Sequence, residues 1–98
     1  MCRYSEVAMR YSEKDKDWGA EVKENAEGMC EMCGDYGCDP HHAVKRRFLK
    51  TRWILINGVW LCRKCHSWSE LNPLKFIAWF IGVRGIEIYQ MLIDKAKK

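Results

Sequence analysis

Two Cys-x-x-Cys pairs, Cys30/Cys33 and Cys62/Cys65, are the residues of this chain best equipped for chemistry. Two residues between thiols let one tight turn aim both sulfurs the same way, and two such turns supply the four thiolates of a tetrahedral zinc site. A single pair also fits a redox dithiol, but two pairs in a chain with no thioredoxin-like βαβ pattern favour zinc. Four protein sulfurs fill the coordination sphere, so this zinc is expected to be structural, closing a loop of 28 intervening residues. Cys38 competes with Cys33 by proximity, but its spacing is irregular; it and Cys2 read as spares.

All three histidines lie inside or beside that loop: His41, His42 and His66. His66 follows Cys65 directly, and His41 and His42 follow Pro40. Neighbours on a regular strand face opposite ways. One imidazole of the pair can therefore join His66 on a cation while the other serves as a general base near neutral pH. Beside the pair, five of the eight residues from 45 to 52 are basic: Lys45, Arg46, Arg47, Lys50 and Arg52. That density suits a polyphosphate partner, with a solubilising surface loop as the plainer reading.

The elements that must position these groups follow from pattern. Ninety-eight residues make one small core and one domain, which excludes a multidomain enzyme and favours a chain that needs a staple. The net charge of +4 is uneven: residues 1–29 sum to −2, residues 30–66 to +4 and residues 67–98 to +2. Glu13 to Ala26, with Trp18 and Val22 four apart, predicts a mostly exposed helix ended by Gly28. Gly34 and Gly37 mark a turn-rich knuckle. Strands are expected over Asp39 to Val44, loosely, and over Gly58 to Leu61, with Trp53 to Ile56 leading in. Helices are expected over Arg63 to Leu71, from Pro73 with Asn72 as its N-cap, and from Ile86 to about Ala96. In the second of these, Leu74, Ile77, Ala78 and Ile81 form one apolar stripe, which Phe76, Trp79, Phe80 and Val83 widen. No apolar run reaches 18 residues, and the charged first residues do not resemble a secretory signal, so no membrane and a cytoplasmic location are expected. A reducing compartment also favours metal ligation over disulfides.

The order Cys-x-x-Cys, His41-His42, Asn57, then Cys-x-x-Cys followed at once by His66 resembles the HNH endonucleases, a branch of the ββα-metal (His-Me finger) nucleases. The run from Asn57 through Leu61 and Cys62 to Cys65-His66 is similar to the second half of that motif in zinc-containing members. The resemblance covers residues 29–71. It implies a small α+β fold: a ββα-metal finger stapled by the four-cysteine zinc, with an N-terminal helix and C-terminal helices. Residues 1–28 would be a helical lead-in, residues 29–71 the core with its knuckle, and residues 72–98 helices packed on the core. By the same resemblance His42 is the general base, Asn57 braces the loop between the strands, and His41 and His66 hold a catalytic divalent ion. Glu70, four residues beyond His66 on one helical face, is the third-ligand candidate. Nitrogen ligands suit Mn, Ni, Co or Zn better than Mg. DNA is the implied partner, in a bacterial or phage-infected cell. Lys45, Arg46, Arg47, Lys50 and Arg52 would contact its phosphates, and a homodimer or targeting protein would supply specificity. Two other readings remain open at this level: a zinc-stabilised DNA-binding or adaptor module without catalysis, and a disulfide-linked secreted miniprotein.

Overall fold

The computed structural model describes residues 12–98; Cys2 and the first eleven residues of the lead-in lie outside the described residues. The described chain is a small α+β fold of four helices and one two-stranded antiparallel sheet. In order these are α1 (Glu13–Asn25), β1 (Asp39–His42), a 3₁₀ turn (Leu55–Asn57), β2 (Gly58–Leu61), α2 (Arg63–Leu71), α3 (Pro73–Arg84) and α4 (Ile86–Lys97).

A reciprocal capping box starts α1: the Asp15 amide donates to Ser12 Oγ, and the Ser12 amide donates to the Asp15 carboxylate. One turn later Trp18 and Val22 share a face and bury themselves against Trp60 of β2. The helix is therefore better anchored than its polar composition predicts, with Asp15, Trp18, Gly19 and Val22 all buried. Two large side chains at a spacing of four are enough, because β2 offers them a flat and glycine-thinned partner. A Cβ at Gly58 would collide with Val22 Cγ2 and the Trp18 ring.

The ribbon pairs Asp39 with Leu61, His41 with Val59 and His42 with Gly58. All four residues of β2 are buried. Val59 and Leu61 meet Phe76 and Phe80 of α3 and Leu92 of α4 in the main core. β1 stops at His42, two residues short of the expected Val44, because Asn57 captures the backbone there. The lead-in expected over residues 53–56 is instead a turn that becomes the short 3₁₀ element.

One further expectation is corrected. The buried face of α3 is Phe76 and Phe80, whereas Leu74, from the expected stripe, is 85% exposed and Val83 is 52% exposed. The helix is apolar nearly all round, so periodicity selects no face, and contact with the ribbon makes the selection. Asn72 is the expected N-cap of α3, with Pro73 opening the helix, but its side chain makes no capping bond there; its Nδ2 donates back to the Trp68 carbonyl and closes α2. Gly85, at φ +96°, breaks α3 from α4 in a conformation that favours glycine, and the two helices diverge by 119°. Among the described residues no single helix is long and apolar enough to cross a membrane.

Candidate functional site

The two cysteine pairs meet. Ligand atoms of Cys30, Cys33, Cys62 and Cys65 all lie within 4.8 Å of one another, and Cys33 Sγ is 3.7 Å from Cys62 Sγ. Four sulfurs at 2.3 Å from one tetrahedral zinc stand about 3.8 Å apart, so the cluster can hold such a metal. Each pair is folded as a knuckle in which the second cysteine's amide donates to the first cysteine's sulfur: Cys33 to Cys30 at 3.5 Å and Cys65 to Cys62 at 3.3 Å. Cys62 is also the N-cap of α2, so the helix bearing His66 starts on the cluster. Burial, together with hydrogen bonding to the other three cysteines, pushes the Cys65 thiol far above its ordinary range. Without a cation the four sulfurs cannot all be thiolates. Cys38 stands outside the set.

The histidines separate as strand alternation requires. His41 is 9% exposed, its ring edge-on to Phe76 at 4.6 Å and to His66 at 5.1 Å between centroids. His42 faces α1, where Trp18 stacks on it at 4.0 Å and 10° between planes. Its Nε2 lies 2.9 Å from the Arg52 carbonyl. A carbonyl only accepts, so Nε2 carries the proton and Nδ1 is left with its lone pair. Both imidazoles are held neutral. Burial, then the nearby His66, Lys45 and His42, lower His41 to about 3. Burial lowers His42 to about 4, Arg46 and Arg52 pushing the same way against its carbonyl bond and Asp15.

His42 and His66 line one cavity of about 350 Å³ with Asp39, Glu70, Arg46 and Arg63, and Asp15 and Trp18 of α1 contribute its far wall. His66 Nδ1 is 3.6 Å from Asp39 Oδ2 and 3.7 Å from Glu70 Oε1. This group is looser than the thiol cluster. Among the described residues, the cysteines alone gather three or more ligand atoms tightly enough to enclose an ion.

Asn57 is fully buried and uses both ends of its amide on the connection between the strands. Its Oδ1 accepts from the Val44 amide at 2.7 Å, and its Nδ2 donates to the carbonyls of Val44 at 3.1 Å and Thr51 at 3.0 Å. The basic run divides. Lys45, Arg47 and Lys50 are exposed on the loop, and Arg47 lies over Phe48. Arg46 reaches the cavity and approaches Asp15 at 3.4 Å. Arg52 turns inward, its Nη2 2.7 Å from Asp15.

Sequence reasoning passed over three residues of this region. Asp39 shares the His41 face of β1, two residues away, and accepts from Arg63 Nε at 3.1 Å; the alternation of the strand already signalled it. Arg63, at the cavity rim, lay outside the basic run. Asp15 reads as an ordinary helix cap and carried no signal, because its partners beyond Ser12 are 31 to 38 residues away. No protein-family model, curated protein or solved structure matches this chain.

Proposed function

We propose that this chain is a metal-dependent DNA endonuclease that hydrolyses phosphodiester bonds, with His42 as the general base. The observation that carries the reading is the pairing of a neutral, oriented imidazole with His66 and two carboxylates around one cavity. His42 Nδ1 takes a proton from water, the hydroxide forms a bond to phosphorus, and the bond from phosphorus to the 3′ oxygen breaks. The products are a 5′ phosphate and, after protonation from solvent, a 3′ hydroxyl.

A divalent cation would take imidazole and carboxylate donors of the kind gathered here, and the ring centres of His41 and His66 are 5.1 Å apart. Those two residues with Asp39 or Glu70 would hold it, and the nitrogen-rich set favours Mn, Ni, Co or Zn over Mg. Bound there, the cation would act as a Lewis acid for the scissile phosphate and the leaving oxygen. Lys45, Arg47 and Lys50 on the loop, with Arg46 and Arg63 at the cavity, supply positive charge for the DNA backbone.

The test is plasmid cleavage by the purified zinc-loaded protein with Mg, Mn, Ni or Zn added. Metal-dependent nicking or cutting is expected, abolished by His42→Ala with zinc content and circular dichroism unchanged. Cutting that survives His42→Ala removes His42 as the base. A specific observation favours a second reading, a non-catalytic zinc-stabilised DNA-binding or adaptor module: among the described residues, only the cysteine cluster is closed around an ion-sized space. Binding without cleavage of duplex, single-stranded or branched DNA under every metal would select it.

A further inference from the structure

We propose that α1 is a positioning element for the base, acting on His42 through Trp18 and Asp15; the proposal rests on the reading of His42 given above. An imidazole that must deliver one nitrogen to a substrate has two freedoms to lose, the tilt of its plane and the rotation within it. Trp18 removes the first by lying almost parallel to the ring at 4.0 Å. The Arg52 carbonyl removes the second by accepting the Nε2 proton at 2.9 Å.

That carbonyl is itself held from α1. Asp15 is 5% exposed and makes far more bonds than a capping box requires. Beyond Ser12, it accepts from Arg52 Nε at 2.9 Å and Nη2 at 2.7 Å, and from Trp53 Nε1 at 3.0 Å. One turn along, Trp18 Nε1 donates to the Ile54 carbonyl at 2.9 Å. Residues 52–54 are therefore tied to α1 at three consecutive positions, twice through Asp15 and once through Trp18. The residue at the start of that tether presents the carbonyl that selects the tautomer of His42. A helix whose only task was to cover Trp60 would need Trp18 and Val22; it would not need a buried carboxylate aimed at the loop that orients an imidazole.

The test reads the imidazole directly. Side-chain nitrogen–proton correlation spectra of the zinc-loaded protein at pH 7 should show wild-type His42 as a single Nε2–H tautomer. Arg52→Gln changes no residue of α1 and cuts the link to Asp15, along with the guanidinium contact to the Trp53 ring; it should yield a mixture of tautomers, as should Asp15→Asn. Trp18→Leu should also mobilise the ring, and Trp18→Phe, which restores a stacking surface, should recover it. In cleavage, Arg52→Gln, Asp15→Asn and Trp18→Leu should lose about 10²-fold in kcat with KM little changed, as expected for misplacement of a reacting group, and Trp18→Phe should recover most of that loss. Variants that are folded, zinc-bound and still purely Nε2–H overturn the proposal, as does a wild-type His42 that is not in that tautomer. Tautomer loss in the variants of a protein that cleaves no DNA would support the positioning device and discard the nuclease reading, so the two failures are distinct.

Discussion

Asn57 illustrates how much a single side chain can decide in a small domain. It satisfies the amide and carbonyl of Val44 and the carbonyl of Thr51 where no water reaches. Asn57→Ala would orphan the amide and carbonyl of Val44 and leave the Thr51 carbonyl with the Ile54 amide alone, and should cost about 2–4 kcal/mol in denaturant unfolding. Asn57→Asp is expected to be no better, since it places a second acceptor against two carbonyls. Asp15 gives a pH signature. Burial opposes its ionisation, but bonds from Arg52, Ser12 and Trp53 overcome that and hold its carboxyl well below the usual carboxylate range. A depressed native value means the stabilisation is fully present above the unfolded value near 4 and is lost as pH falls below it. Asp15→Asn should therefore lower stability by about 2 kcal/mol at pH 7. The gap to wild type should narrow when thermal unfolding is repeated towards pH 2; a gap independent of pH would contradict the assignment.

At the scale of elements, the packing of α3 separates two faces that composition makes equivalent. Phe80 is fully buried against Tyr89 and Phe76, while Leu74 stands in solvent. Phe80→Ala should cost about 3–5 kcal/mol, and Leu74→Ala should stay within about 0.5 kcal/mol; urea melts of the pair decide which face is inside. The contact of α1 with β2 is similarly exacting. Gly58→Ala forces a methyl group into Val22 and Trp18, a change expected to cost about 1–3 kcal/mol and to disturb His42 through the displaced Trp18 ring.

For the molecule as a whole, the cysteine cluster joins the knuckle at residues 30–33 to the start of α2, and so ties the ribbon to the helix that carries His66. Metal bound to such clusters supplies folding free energy directly, of order 10 kcal/mol or more in small domains. Removal of zinc by a strong chelator, or Cys65→Ser, should abolish cooperative unfolding rather than merely lower the melting temperature. Charge acts over the same scale. If Lys45, Arg47 and Lys50 each meet a DNA phosphate, their joint replacement by Ala should reduce the slope of log affinity against log salt by about 2 to 3, with little effect on folding because all three are exposed.

Local chemistry is legible in the residues themselves. The cysteine pairs announce their knuckles through spacing alone, and the bounds of β2 and α2 match the pattern over Gly58–Leu61 and Arg63–Leu71 because each rests on short-range signals. Strand alternation foretells that His41 and His42 part company. What a residue meets 30 positions away is not encoded in any local period. Only the folded chain turns Arg52 from the rest of the basic run to Asp15, makes Trp18 a partner of His42 and brings Asp39 to His66. Only packing against the ribbon chooses Phe76 and Phe80 over Leu74, since a helix apolar on every side carries no preference until something covers one of them.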